Sequence, residues 1–283
     1  MNFEYSDDQR MLQDMLRQFL AQRYGFAERV AASRSDLGYR SEIWSAFADE
    51  LGLLGATISP DQGGLGGGAV EQMIVMEELG RVLEPVAETL FHGGWLLEQA
   101  GGSAAQILRD VAKGKVRLAL AIGEPQMRYD YEDIATTVER TAAGWRLNGQ
   151  KAVVIGAPWA DQLIVAARTS GAAGDATGIS LFLTAADASG VAMHPYPTID
   201  GRRAADIILT NVEVGSDALI GGEGQGLELI EELRDRAVAA QAAEAAGLLD
   251  KLLQDTVAYT QQRQQFGQPI ATFQVLQHRM VDM

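Results

Sequence analysis

The chain has 283 residues, with 38 acidic against 23 basic side chains and a formal charge of −15 at pH 7, a length that suits about two domains. It has no cluster of Lys and Arg to displace the counterions of a phosphate backbone, which excludes nucleic acid and anionic membrane surfaces as partners. It has no Cys, and its three His (His92, His194, His278) are far apart; disulfides, thiolate metal sites and cysteine nucleophiles are excluded and no metal is expected.

The opening MNFEYSDDQR places Glu4, Asp7 and Asp8 where a signal peptide carries cations and an apolar run, so a cytoplasmic chain is expected. No window approaches the ~18 consecutive apolar residues of a membrane helix. From Ser6 to about Ala32, residues Met11, Leu12, Met15, Leu16, Phe19, Leu20 and Tyr24 recur at three- and four-residue steps behind Asp7 and Asp8, predicting one amphipathic helix. A second is predicted from Ser41 to Leu51, closed by Gly52. The breaker-rich stretch Ser59 to Gly68 reads as a loop, followed by a helix through Val70, Met73, Ile74, Met76 and Leu79. Further helices are predicted over Pro85 to Gln99 and Ser103 to Lys113.

The pattern then changes to short β-rich runs: Val116 to Ile122, Ile134 to Arg140, Trp145 to Ile155, Gln162 to Arg168, Ile179 to Leu183 and Ala204 to Val214. The gaps between them are too short for helical crossovers, and Leu147-Asn148-Gly149-Gln150-Lys151 reads as a turn, so an antiparallel arrangement is expected. After Gly221 to Gly226 the helical period returns and persists to Gln262, with Leu227, Ile230, Leu233, Val238, Leu248, Leu249, Leu252, Leu253 and Val257 on its apolar side. Gly267 and Pro269 break that helix, and another begins near Thr272 and is still running at Met283. The expected class is α+β: an N-terminal helical domain (1–115), a middle antiparallel β domain (116–222) and a C-terminal helical bundle (223–283).

Gly64-Leu65-Gly66-Gly67-Gly68-Ala69 matches a dinucleotide fingerprint in letters, yet no buried strand precedes it and no acidic strand end follows, so a plain glycine loop is favoured. Gly222 to Gly226 likewise reads as a turn from sheet to helix. No role is assigned to His92, His194 or the tryptophans. The segment Tyr259 to Gln274 is more distinctive: an Arg, an aromatic and a Gly-x-Pro break share one corner. The planar fork of Arg263 suits a pyrophosphate, and equally the corner could be a plain helix-helix turn with a solvated Arg.

At this corner the sequence resembles the acyl-CoA dehydrogenase family, whose Arg-x-x-Phe-Gly-x-x-Ile-x-x-Phe-Gln signature is matched by Arg263, Phe266, Gly267, Ile270, Phe273 and Gln274. The resemblance extends to Pro60-Asp61-Gln62-Gly63-Gly64-Leu65-Gly66, Glu77-Glu78-Leu79-Gly80, Gly144 to Lys151, Val212-Glu213-Val214, Leu219-Ile220-Gly221 and Gly224 to Leu227, in family order across nearly the whole chain. It implies FAD held between the β domain and the C-terminal helices, and an acyl-CoA substrate that loses an α-proton to a carboxylate while a β-hydride passes to the flavin. Arg263, Phe266 and Gln274 would then touch the FAD of a neighbouring subunit, which implies a homo- or hetero-oligomer with another chain of the family.

Three departures from the family pattern stand out. The Thr-Glu-Pro flavin loop is Ile122-Gly123-Glu124-Pro125, in which Gly123 replaces the hydroxyl. The Lys-x-Trp-x-Thr pattern is Lys151-Ala152-Val153-Val154-Ile155, which loses the stacking ring and, at Ile155, a second hydroxyl. Most members place the catalytic Glu in a part of the bundle beyond the helix ending at Met283, so the bundle reads as incomplete here. One branch instead carries the base on the long helix just before an Arg, where this chain has Asp235-Arg236. By resemblance Asp235 is the candidate base and Ile122, Gly123 and Ile155 line the flavin. By charge pattern alone Asp235, beside Glu231, Glu232 and Arg234, is a solvated helix face. The expected activity is an FAD-dependent acyl-CoA dehydrogenase; the alternative is a catalytically silent structural subunit of such an enzyme.

Overall fold

The computed structural model describes residues 4–82 and 92–283, so the start of the helix expected over Pro85 to Gln99 lies outside the described residues. Where periodicity predicts one N-terminal helix there are two, α1 (Asp7–Arg23) and α2 (Phe26–Arg34). The apolar spacing runs through the break and hides it. Tyr24 turns fully inward, and Gly25, with extended backbone, caps α2. Ser6 and Gln9 form a capping box at the start of α1. Helix α3 (Ser41–Asp49) leads to Gly52 in the left-handed conformation, as its sequence suggests.

The glycine loop before α4 (Ala69–Gly80) folds back on its own chain. The N–H groups of Gly66 and Gly67 donate to the carbonyls of Ile58 and Ala56, at 2.9 and 2.8 Å. A Cβ on Gly67 would lie 2.6 Å from the Ala56 oxygen. These glycines serve close backbone packing, which accounts for the fingerprint-like spacing. Helices α5 (Gly94–Gln99) and α6 (Ala105–Ala112) complete this layer.

Strands β1 (Leu118–Ala121), β2 (Thr137–Arg140), β3 (Gly144–Ile155), β4 (Gln162–Arg168), β5 (Ile179–Ala185), β6 (Val191–Pro197), β7 (Arg203–Gly215) and β8 (Leu219–Ile220) form one sheet. Its order is β6-β7-β3-β2-β4-β5-β8, with β1 beside β4. Three features correct the sequence reading. The sheet is largely antiparallel, but β1 and the β2 end Thr137 run parallel to β4; the intervening hairpin of β2 and β3 returns the chain without a helix. Asn148-Gly149 is no turn. It is a register shift inside β3, where the Asn148 side chain accepts the Asn211 N–H at 2.8 Å. Strand β6, unread in the sequence, carries Pro195 and Pro197 and lies at the sheet edge, the position where missing donors are tolerated.

One sheet face (Leu118, Ile164, Ile179, Leu181) packs on α5, α6 and the start of the long helix α7 (Gly226–Gln262). The other face (Trp145, Leu147, Val165, Phe182, Ile207) forms its own core. Helix α7 has 37 residues and so spans about 55 Å. It crosses α4 on small residues: a Cβ on Gly80 would overlap the carbonyl of Glu244, and one on Gly247 that of Glu77. Beside this crossing, buried Glu78 takes two hydrogen bonds from Arg17, and Arg81 spans Glu78 and Asp250 at 3.3 and 2.5 Å. The buried residues of α7 include Ile230, Leu233, Ala240, Ala243 and Gly247, whereas Val238, Leu248, Leu249 and Leu252, expected on the packed side, are exposed. Gly247→Ala is expected to force the helices apart and cost the upper end of about 1–3 kcal/mol; a denaturant melt with an unshifted midpoint would show that the crossing is looser than drawn.

Candidate functional site

Beyond β1 the chain passes Ile122 and Gly123 and is tied to β3 like an extra strand. The Gly123 carbonyl accepts the Ala152 N–H at 2.9 Å. Beneath them lies an ion pair that sequence reading passes over: Lys151 Nζ donates to Glu124 Oε1 at 2.7 Å and to the Ile122 carbonyl at 3.1 Å, with both side chains buried. Glu124 also accepts the N–H groups of Ala135 and Thr136 and the Gln126 amide. Burial opposes ionisation of Glu124, but the charge of Lys151 and these hydrogen bonds outweigh it and hold the carboxyl at about 2. Burial, partly offset by Glu124, lowers Lys151 to about 8. Both residues stand in quoted motifs; their separation of 27 residues conceals the pairing.

Above this pair β3 bulges between Lys151 and Val154. Val153 sits at φ +54° with its side chain 58% exposed, a rare conformation for a β-branched residue and one that marks stored strain. Val154 is buried, whereas Val153 is exposed and Ile155 half-buried. The Gly123–Ala152 bond thus sets the Ile122–Gly123 backbone beside the bulge in one strip with Val153 and Ile155, while the Ile122 side chain is buried in the core under the helices.

The other sequence-nominated residues lie elsewhere. Asp235 borders a cleft of about 560 Å³ between the start of α4 and the first third of α7, with Val70, Met73, Arg236, Ala239 and Ala240 among its walls. Its carboxylate is 74% exposed and pairs with Arg234 at 3.1 Å. Arg236 is held by Glu232 at 3.0 Å and stacks over Trp95. Around the helix, Leu227, Glu231 and Arg234 face the 129–132 loop across a second cleft of about 370 Å³. That loop is anchored by buried Arg168, which donates to the carbonyls of Glu132, Ile134, Asp175 and Thr177. The cleft walls Val70 and Met73 carried only a helix-periodicity signal in the sequence.

Arg263, Phe266 and Gln274 lie at the far end of α7, tens of ångströms along the helix from the sheet. The corner is a small hairpin, not a plain helix-helix turn. Strands β9 (Gln264–Gln265) and β10 (Gln268–Pro269) pair across Phe266-Gly267, both at positive φ, before α8 (Gln274–Asp282). Two left-handed residues make the tight hairpin turn, and they raise the Phe266 ring to 91% exposure with Phe273 edge-on behind it at 6.1 Å.

A helical layer, a largely antiparallel sheet and one long crossing helix frame an apolar strip at a strained bulge. Models of the N-terminal, middle and C-terminal domains of acyl-CoA dehydrogenases match residues 6–114, 119–213 and 224–283. The chain belongs to the acyl-CoA dehydrogenase family, flavin-dependent oxidoreductases whose cofactor is FAD. It is 27% identical to the caffeyl-CoA reductase-Etf complex subunit CarC of Acetobacterium woodii, over 99% of this chain and 75% of that one. It is 28% identical to the mitochondrial isovaleryl-CoA dehydrogenase of Pongo abelii, over 98% of this chain and 68% of the relative. Among solved structures, the FAD complex of PigA superposes with a TM-score of 0.89 at 25% identity, covering all of this chain and 76% of that one.

The strip suits a flavin ring on its own chemistry. A flat ring with apolar faces and a polar rim needs an apolar wall edged by backbone groups, and Val153 with Ile155 beside the 122–123 backbone supplies both. No side-chain hydroxyl stands at 123 or 155, so hydrogen bonds to the rim from those two positions fall to the main chain.

Proposed function

We propose that this chain acts as an FAD-dependent acyl-CoA dehydrogenase within a homo- or hetero-oligomer, desaturating an acyl-CoA thioester between its α and β carbons. The observation that carries this reading is the α4–α7 cleft: apolar through Val70, Met73, Ala239 and Ala240, with the Asp235 carboxylate at its edge. An acyl chain fits such walls, and a carboxylate there is placed to take the α-proton. Ile122, Gly123 and Ile155 would line the flavin, with the Lys151–Glu124 pair fixing the backbone that they share. FAD, when bound, supplies the acceptor for the β-hydride. Arg263, Phe266 and Gln274, too far along α7 to serve their own strip, would meet the cofactor of a second subunit, Arg263 offering its fork to the pyrophosphate. A cytoplasmic setting and the division into helical parts 1–115 and 223–283 around a β part 116–222 belong to the same proposal; no helix among the described residues is long and apolar enough to cross a membrane.

The rival reading is a silent subunit that keeps the fold and lends Arg263 and Phe266 to a partner. One observation favours it: Asp235 is open to water and paired with Arg234, whereas a base for this reaction works best shielded. The visible spectrum decides. The purified protein, incubated with FAD and gel-filtered, should retain a yellow flavin that bleaches on anaerobic addition of acyl-CoA esters; a retained flavin that no acyl-CoA bleaches would select the silent subunit. Phe266→Ala should leave the thermal midpoint unchanged, since its ring is almost wholly exposed with Phe273 edge-on behind it, yet reduce the FAD retained by the assembled protein. Equal retention would remove the corner from the cofactor site.

A further inference from the structure

The bulge that presents Val153 is held from behind by a group outside every motif of the sequence. Where β3 loses register, Lys151 faces Ile207 and Val154 faces Ala205, so two β3 residues oppose the single residue Asp206. A bulged residue loses its ladder partner, so the Val153 N–H has to find its acceptor outside the β3–β7 ladder. Asp206 fills that gap: its Oδ1 accepts the Val153 N–H at 3.0 Å. The same oxygen accepts the Tyr196 hydroxyl at 2.9 Å from the neighbouring strand β6. The carboxylate is thus fixed from one side by β6 and grips β3 from the other, at the one non-glycine residue of β3 with positive φ.

We propose that Asp206, braced by Tyr196, is a positioning residue for the flavin: it holds Val153 in its strained conformation so that the side chain and the 152–155 backbone form a flat wall for the ring. This rests on the reading of the 122–155 strip as the flavin face. Relaxed to ordinary extended backbone, Val153 would turn its side chain and carbonyl away from that wall, because the left-handed state is disfavoured for a β-branched residue. Asp206 supplies the compensating hydrogen bond, and Tyr196 keeps its carboxylate from rotating toward solvent.

The test is FAD affinity and the flavin absorption spectrum of the full chain, in four variants. Asp206→Ala should weaken FAD binding about tenfold or more, the order of cost of an unsupported left-handed residue, and shift the visible bands of whatever flavin remains. Asp206→Asn keeps an acceptor oxygen and should recover most of the affinity. The deciding variant is Val153→Gly: glycine adopts the conformation freely, so in that background Asp206→Ala should change FAD affinity by clearly less than it does with Val153 present. A structural role for Asp206 would lower stability equally in both backgrounds and leave the bands in place, and that pattern would overturn the proposal. Should Asp206→Ala fail to fold, Tyr196→Phe decides, and unchanged affinity and bands there count against the brace. If the unaltered protein binds no FAD, the reading of the strip fails; if it binds FAD and Asp206→Ala matches it, only the positioning role fails.

Discussion

Asp235→Asn should slow reduction of bound flavin by an acyl-CoA by about 10²–10⁴-fold, the usual worth of a positioned general base, while FAD binding and thermal midpoint stay as they were. The separation of these effects follows from the surroundings of the residue. Its carboxylate is mostly exposed and pairs with the adjacent Arg234, an arrangement whose loss costs about 0–1 kcal/mol; asparagine fills the same space. A loss of activity therefore cannot come through the fold. Asp235→Glu sharpens the test, since the branch of the family that the Asp235-Arg236 pair resembles has a glutamate there. The longer side chain should keep activity within about tenfold of the parent. Stopped-flow reduction under anaerobic conditions measures both. An Asp235→Asn protein that bleaches at the parental rate would return Asp235 to the solvated helix face that its charged neighbours suggest.

Much of the fold is readable in the sequence because each layer announces its own period. The amphipathic repeat of α1, the glycine after α3 and the unbroken run of α7 are local signals, and local physics settles them. The failures share one cause. The break at Tyr24-Gly25, the absorption of Asn148-Gly149 into β3 and the edge strand β6 with its two prolines are decided by what lies across the sheet or beneath the helix. The outward-facing leucines of α7 fail similarly: a periodic stripe shows that one face is apolar, but Gly80 and Gly247 determine which face meets α4. At the candidate site the letters of the motifs could be matched one by one, yet their geometry could not. Glu124 and Lys151 meet only because β1 and β3 lie together, and the Val153 N–H meets Asp206 only because β3 pairs with β7 across a bulge.

The Lys151–Glu124 pair carries the largest expected effect on stability. Lys151→Met leaves the Glu124 charge buried without its cation and should cost about 3–5 kcal/mol, the penalty for breaking a buried ion pair from one side. Glu124→Gln strands the ammonium in the same way. Together the two changes should cost less than their sum, because neither stranded charge remains. The pH dependence gives an independent sign. In the parent protein Glu124 is held at about 2, below its ordinary value of 4.5. Its contribution to stability is therefore fully present above about 4.5 and is lost as pH falls toward 2. Without Lys151, burial dominates and pushes the carboxyl above its ordinary value. The folded state then binds the proton more readily than the unfolded one, so Lys151→Met should gain stability as pH falls from about 7 toward 5, where the parent is flat in this contribution. Denaturant melts across that range read the slope directly. Equal slopes in the two proteins would mean that backbone N–H groups alone hold Glu124 ionised. The Ile122–Gly123 strip would then owe its position to Ala135 and Thr136 on the approach to β2, and FAD retention in Lys151→Met should match the parent instead of falling with its stability.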